Sequence, residues 1–275
     1  MELLRCENLA FDYGGGEVLK NISLSFEKGQ VTAVLGENGA GKSTLFLCLN
    51  GVLKKTRGEI YFEDKPLDFK GKGRDNPVFK IGIVFQNPDD QLFCESVFDD
   101  IAFGVLNKGI KGKEAEKAVL DAAERLGITE LLSRPVHALS YGQKKRVAIA
   151  GVLAMGCSLL ILDEPTAGLD PKGASELLNL IKTLKKEGKT VIISTHDIDS
   201  LPDMCDYIYV MQKGEIVSRG TCREVLWNEP LLKRANLAPP KIVELFSLLE
   251  KRGIQAERAM TAAEGALSIE RLLTR

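Results

Sequence analysis

The chain has 275 residues and a formal net charge of −1, so it can bury a sizeable core and offers no basic field to nucleic acid. Its six cysteines show no C-x-x-C spacing and it has only two histidines, which argues against a zinc site and favours reduced thiols in a cytosolic protein. The apolar stretch 147–162 is too short to span a membrane and is interrupted at 156–158, so any membrane crossing would require a separate subunit.

The first motif follows residues 1–35, which alternate like strands around a glycine turn at 14–16. Residues 36–44, GENGAGKST, match the phosphate-binding pattern G-x-x-x-x-G-K-[ST] between an apolar strand and a helical sequence. Backbone N–H groups and a helix N-terminus would converge there on an anion. Lys42 would reach the β- and γ-phosphates and Ser43 would ligate Mg²⁺. The order of strand, loop and helix argues against an ordinary glycine turn. The residues of this loop predicted to bind the nucleotide are Gly36, Glu37, Asn38, Gly39, Ala40, Gly41, Lys42, Ser43 and Thr44.

The middle of the chain predicts a helical insertion over 88–157. Ala115, Val119 and Ala122 recur at helical spacing, so the many charges of this stretch form a solvated face. Gln86 precedes the insertion, where taken alone it would be a polar residue at a strand end.

Residues 139–143, LSYGQ, predict a second anion-receptive helix end about a hundred residues after the first. Ser140 is a good helix N-cap, and Gly142 leaves the backbone open.

The apolar run Leu159–Leu162 leads into Asp163 and Glu164. Asp163 is placed to hold Mg²⁺ through water, and Glu164, one residue further, should point to the opposite side and polarise an attacking water. A solvated acidic turn is the alternative, which the Mg²⁺ requirement of the loop disfavours. His196 follows a strand-like run, where a lone histidine is more often structural than catalytic.

These motifs, in this order, resemble those of the ATP-binding cassette (ABC) ATPases over residues 1 to about 230. In that family the signature LSGGQ binds the γ-phosphate through the serine and second glycine, which match Ser140 and Gly142 here. The sequence departs from the signature at Tyr141, where glycine is usual, and then matches again at Gln143.

The resemblance also assigns roles outside the two helix ends. Gln86 matches the glutamine that touches Mg²⁺ and the attacking water, and His196 matches the histidine that contacts the γ-phosphate. Asp170 fits the loop that crosses the dimer interface. Tyr13 fits the aromatic that stacks on adenine, although it could equally be a hairpin residue. The catalytic residues implied are Glu164, His196, Gln86 and Lys42, and the Mg²⁺ ligands are Ser43, Gln86 and Asp163.

The implied fold is α/β: a P-loop NTPase with a mixed β-sheet core, an antiparallel β subdomain, a helical insertion subdomain and a small C-terminal extension. The ATPase domain would span 1–230, with the helical subdomain 88–157 inside it, and the extension would span 231–275. ATP and Mg²⁺ are the implied cofactors. Two chains would sandwich two ATP molecules, each held by 36–44 of one chain and closed by 140–143 of the other, so a homodimer is possible.

Within the family, segments 84–93, 100–104, 139–155 and 238–246 resemble the energy-coupling-factor ATPases, most closely the cobalt or nickel importer type. That type works at the cytoplasmic face of the membrane with a transmembrane coupling protein and a substrate-binding membrane protein. Vitamin importers of the same class are the close alternative. The absence of long heptad arrays disfavours a chromosome-maintenance ATPase, and the single cassette disfavours a translation factor.

The tail predicts a helix after Pro239-Pro240, with Ile242, Leu245, Phe246 and Leu249 on one apolar face. So short a helix needs a surface to pack on, which would be either its own cassette or the other subunit. Residues 268–273 could form a last short helix.

Overall fold

The structure of the protein is a computed structural model that describes residues 1–68 and 76–274. Its N-terminal part is a four-stranded antiparallel sheet. The strands are β1 (Glu2–Asp12), β2 (Glu17–Glu27), β4 (Arg57–Phe62) and β5 (Lys65–Pro66), in the spatial order β2-β1-β4-β5. The glycine turn at 14–16 joins β1 to β2, which confirms the predicted antiparallel subdomain.

A second, six-stranded sheet forms the centre of the molecule, in the order β10-β9-β3-β8-β7-β6. Its strands are β3 (Val31–Leu35), β6 (Ile81–Val84), β7 (Leu159–Leu162), β8 (Thr190–Ser194), β9 (Tyr207–Gln212) and β10 (Glu215–Thr221). All neighbours are parallel except β9 and β10, so the predicted mixed sheet is confirmed.

The central sheet is covered on both faces, which is why β3, β7 and β8 are buried at every position. Val34, Ile161 and Ile192 face the core shared with the antiparallel sheet and helix α1 (Lys42–Asn50). The residues on either side of them face a second core built with the remaining helices. This alternation holds the strand ends rigidly in the middle of the fold.

Most of the remaining helices pack on the face of the central sheet that is opposite the antiparallel sheet. Between β6 and β7 lie α2 (Val97–Asn107), α3 (Gly112–Arg125) and α4 (Tyr141–Ala154), and α5 (Pro171–Lys186) follows β7. In α3, Ala115, Val119 and Ala122 are buried, as their spacing predicts. Across the two described segments, no helix combines the length and apolarity that a membrane span needs.

The chain ends in α6 (Cys222–Leu226), α7 (Glu229–Arg234), α8 (Lys241–Lys251) and α9 (Ala262–Leu273). Val243 of α8 belongs to the same core as the central sheet, and Phe246 lies against α9. One face of the tail therefore packs on its own cassette.

Two features of the tail differ from the sequence-based expectation. Leu245 is 44 % exposed, although it was predicted to share an apolar face with the buried Phe246. Helix α9 begins six residues before 268, because Thr261 caps it by accepting a hydrogen bond from the Glu264 N–H.

Candidate functional site

The predicted catalytic residues meet at one edge of the central sheet. Strands β3, β8, β7 and β6 are parallel neighbours, so their carboxyl ends lie side by side. Each leads directly into a predicted motif. They enclose a cleft of about 270 Å³. Its lining includes Asn38, Gly39, Gly41, Lys42, Ser43, Thr44, Gln86, Asp163, Glu164 and His196.

The loop 36–44 is shaped by its glycines. Gly41 precedes α1 with φ of +103°, a conformation that favours glycine, and a Cβ at Gly36 would lie 2.3 Å from the Met211 carbonyl oxygen. The loop curls around the Lys42 ammonium, whose Nζ donates to the carbonyls of Gly36 at 2.7 Å and Glu37 at 3.1 Å. Burial lowers the pKa of Lys42, and the nearby carboxylates of Asp163 and Glu164 oppose that effect. The loop therefore presents a cation in a ring of backbone groups.

Asp163 is held by a residue that the sequence did not single out. The Ser194 hydroxyl, at the end of β8, donates to Asp163 Oδ1 at 2.5 Å and accepts from the Glu164 N–H at 2.9 Å. Ser194 thus fixes both acidic residues from the neighbouring strand. A serine at the end of an apolar strand carried no signal until the strand order was known.

Glu164 does not point away from Asp163 as predicted, since both carboxylates line the same cleft. The reason is its backbone: φ is +45°, an uncommon left-handed conformation for a residue other than glycine, so strand alternation does not apply. Such strained positions concentrate at functional sites.

The Glu164 carboxylate combines burial with one unused acceptor. Oε2 accepts from the His196 N–H at 3.1 Å, whereas buried Oε1 has no hydrogen-bond donor in the part of the chain that the structure describes. The His196 Nε2 lies 3.2 Å from Oε1 but is hydrogen-bonded to Asn38 Oδ1 at 3.0 Å. Burial raises the pKa of Glu164, partly countered by His196 and Lys42. A raised pKa and a free oxygen suit a group that takes a proton from water.

The cleft also offers the donor set that a magnesium ion needs. The Ser43 hydroxyl, the Gln86 amide and the Asp163 carboxylate all line it. Mg²⁺ prefers oxygen ligands of this kind together with substrate phosphates, so the residues fit the ion.

The predicted signature residues lie elsewhere. Ser140 caps α4 in a reciprocal capping box with Gln143. Ser140, Gly142, Gln143 and Asp170 line a second cleft of about 380 Å³, separate from the first. Asp170 caps α5 by accepting from the Gly173 N–H at 2.7 Å. One chain therefore carries two anion-receptive helix ends that do not face a common cavity.

Tyr13 and Tyr141 do not line either of the two clefts. The Tyr13 ring is 63 % exposed beside the phosphate loop, with its hydroxyl 3.5 Å from Thr44 Oγ1 and its ring edge-to-face with Phe11. The Tyr141 hydroxyl donates to the Gln86 carbonyl at 3.1 Å rather than facing the second cleft. Lys145, which sequence reasoning missed, donates to the same carbonyl.

A phosphate loop with paired carboxylates, together with a distant signature helix on a mixed sheet, defines a P-loop ATPase of the ATP-binding cassette class. The chain belongs to the ABC transporter family, whose pattern matches residues 19–167, and it is an ATPase.

Several relatives indicate which kind of ABC transporter ATPase the chain is similar to. The chain is 47 % identical over 252 residues to an energy-coupling factor transporter ATP-binding protein of Clostridium perfringens, covering 91 % of this chain and 88 % of that protein. It is 45 % identical to the protein of the same description from Methanocaldococcus jannaschii, covering 96 % and 95 %. A solved structure, cbiO1 from Clostridium perfringens, part of the ABC transporter complex cbiONQ, aligns with a TM-score of 0.72 at 46 % identity, covering 90 % of this chain and 99 % of that one.

Proposed function

We propose that this chain is the ATP-hydrolysing motor of an energy-coupling-factor importer that carries cobalt or nickel ions across the membrane through separate subunits. The observation that carries the motor role is the single cleft that joins Lys42, Asp163, Glu164 and His196. The relatives described as energy-coupling factor transporter ATP-binding proteins support the transporter class.

The residues of the cleft, and Tyr13 beside it, each have a distinct task. The loop N–H groups and Lys42 bind the phosphates, and Tyr13 stacks on adenine. Ser43, Asp163 and Gln86 would hold Mg²⁺, which would neutralise phosphate charge when bound. Glu164 takes the proton of the attacking water through Oε1, while the Glu164 Oε2 contact with the His196 N–H fixes the carboxylate. His196 and Gln86 orient the water and the γ-phosphate.

The site is completed by a second subunit. Because Ser140 and Gly142 lie on a different cleft from Lys42, they are available to the nucleotide of another chain. Both half-sites are present in this sequence, so we propose a homodimer that closes around two ATP molecules and reopens on hydrolysis. The greater affinity of ATP for the closed state drives the partner subunits.

The membrane partners would dock beside the Gln86 segment. Phe93 and Phe103 stack edge-to-face at the surface there, and Phe93 is 66 % exposed. They line a groove with Gln91 and Met155 that suits an apolar helix. We propose that a transmembrane coupling protein inserts such a helix, that a substrate-binding membrane protein completes the complex, and that this chain sits peripherally on the cytoplasmic face.

Deleting the gene should abolish high-affinity cobalt or nickel uptake. Uptake of radiolabelled cobalt, nickel and a panel of vitamins, compared between the deletion strain, the complemented strain and a strain complemented with Glu164→Gln, measures the cargo. Loss of vitamin uptake with normal metal uptake would assign the vitamin-importing alternative. Retention of all uptake would favour an ABC ATPase outside transport.

Tyr13→Ala should raise the ATP concentration needed for half-maximal turnover by about tenfold or less, because stacking on one aromatic face contributes about 1 kcal/mol. Maximal turnover should persist, since Tyr13 does not line the cleft. Tyr13→Phe, which keeps the ring, is the matched control. If Tyr13→Ala binds ATP as tightly as the unaltered chain, adenine stacks on another residue.

We propose that residues 1–230 form the ATPase domain, with 88–157 as its helical part, and that 231–275 hold two subunits together without ATP. The inner face of the tail is packed on its own cassette through Val243, and Phe246 packs within the tail against α9. Other positions of α8 and α9 leave large apolar side chains exposed, among them Leu245, Leu248, Leu267 and Ile269. A second copy would cover this surface.

Deleting 236–275 should weaken association of the nucleotide-free subunits while ATP binding at 36–44 remains. The deletion also removes Val243 from the core of the cassette. A double variant, Leu245→Asp with Leu248→Asp, therefore changes only exposed side chains of the tail and leaves that core intact. Val217→Asp, on the equally exposed edge strand β10, is the control. Sedimentation without nucleotide measures association. If both tail variants associate as strongly as the unaltered chain, the tail only covers its own cassette and does not hold the subunits together.

A further inference from the structure

The carbonyl oxygen of Gln86 is held by two donors from the first turns of α4. The Tyr141 hydroxyl donates to it at 3.1 Å, and the Lys145 ammonium donates to the same oxygen. Residues four apart lie on one face of a helix, so a single helix edge grips this peptide. Lys144 adds a salt bridge to Asp89 at 2.6 Å, immediately after the Gln86 segment. The start of α4 is thus tied to 86–89 at three points.

Tyr141 also covers the turn that follows Glu164. Gly168 lies so close to its ring that a Cβ there would be 2.5 Å from Tyr141 Cε1. Partial burial, aided by Asp89, raises the pKa of Tyr141, so the phenol keeps its proton and donates. The Tyr141 side chain therefore contacts both the Gln86 peptide and the 164–170 segment. In the sequence, Tyr141 directly follows Ser140.

Lys145 makes this link hard to break. It is completely buried, and its ammonium donates to backbone oxygens of Phe85 and Gln86. Burial lowers the pKa of Lys145 to about 8, and Asp163 and Glu164 favour its charged form. Pulling the Gln86 peptide away would leave a buried charge without its partner, which is strongly unfavourable.

We propose that Tyr141 and Lys145 are positioning residues that lock the Gln86 peptide to the N-terminus of α4. The half-site for the chain's own nucleotide, which contains Gln86, then moves together with the half-site that Ser140 offers to the partner. Among the residues that the structure describes, glycine at position 141 would leave Lys145 alone as a side-chain donor to this carbonyl. This inference rests on the proposed sharing of two nucleotides between two subunits.

Hydrogen exchange of the isolated chain tests the physical link without assuming a dimer. Tyr141→Phe keeps the ring over Gly168 and removes the hydroxyl, so amides within 85–92 should exchange about threefold to tenfold faster, the factor that one neutral hydrogen bond contributes. Amides of β3 should not change. Lys145→Met should act in the same direction and more strongly. Tyr61→Phe, on the antiparallel sheet, is the control and should leave 85–92 unaffected.

Two results would overturn the link. Unchanged exchange at 85–92 in Tyr141→Phe would show that the hydroxyl holds nothing. Equal acceleration across β3 and 85–92 would show a general loss of stability.

The functional half of the proposal is tested in a mixed dimer with one complete site. One copy carries Ser140→Arg and the other Lys42→Ala, so the working site uses Gln86 of the first copy and Ser140 of the second. Tyr141→Phe is then added to either copy in turn. A positioning residue that joins both half-sites should lower turnover about threefold to tenfold from either copy, with the ATP concentration for half-maximal turnover little changed.

Two results would overturn the coupling. If turnover falls only when the second copy carries Tyr141→Phe, Tyr141 acts only through the signature. If turnover falls with neither copy, Tyr141 acts on neither half-site. If the parent mixed dimer is itself inactive, the shared site of the proposed function fails, and the exchange result alone decides whether Tyr141 holds the Gln86 peptide.

Discussion

Glu164→Gln should lower ATP turnover by about 10² to 10⁴, the range expected for loss of a general base, while ATP binding persists. The amide preserves the shape of the side chain, and its oxygen can still accept the His196 N–H that contacts Oε2. The buried Oε1 position, which has no hydrogen-bond donor among the residues the structure describes, would become an NH₂ group that cannot take a proton from water. Subunits that bind ATP without hydrolysing it should remain closed.

Two measurements check this result: steady-state ATPase of the membrane complex and size-exclusion chromatography with ATP. Turnover should collapse while an ATP-dependent dimer persists on the column. Glu215→Gln, at an exposed position of β10, should behave like the unaltered protein. Turnover near the unaltered rate would remove Glu164 from the role of base.

Ser140→Arg should lower turnover by about 10² to 10³, the effect of removing a preorganised group from a transition state, even though Ser140 lies outside the Lys42 cleft. The long cationic side chain would fill the α4 terminus where the partner's phosphate is proposed to lie. Losing the capping box costs about 1 kcal/mol, well below the 5–15 kcal/mol that stabilise a typical domain, so the chain should still fold.

The isolated Ser140→Arg chain should bind ATP as tightly as the unaltered chain, which equilibrium dialysis measures. Ser96→Arg is the matched control, because Ser96 caps α2 in the same helical region and lies outside both clefts. Weakened ATP binding by Ser140→Arg alone would mean that the signature helix serves its own nucleotide rather than the partner's.

The parts of the site that sequence predicts best are those built from consecutive residues. The loop 36–44 and the run into Asp163 contain their own geometry, since strand, glycines and helix follow one another. Ser194 could not be found this way, because its contact with Asp163 depends on β8 lying beside β7. The pairing of distant strands leaves no mark in either segment alone.

Glu164 and Lys145 show why local rules fail at functional positions. Alternation predicts the direction of a side chain only in extended backbone, and Glu164 has φ of +45°. A lysine among other cations on a helix usually indicates a solvated face, yet Lys145 is buried against the backbone of 85–86. Leu245 fails in the opposite sense, because the predicted apolar face includes it, whereas the residues of α8 that are buried are Val243, Phe246 and Ser247.

The claim that two chains share each nucleotide is tested most directly by mixing two inactive variants. Ser140→Arg and Lys42→Ala copies, co-produced with different tags and purified through both, form dimers with one doubly defective site and one complete site. ATP turnover of these mixed dimers should return to a level well above that of either variant alone. No recovery at any mixing ratio, with the mixed dimer verified by both tags, would contradict a nucleotide site shared between subunits whose sites can each work alone.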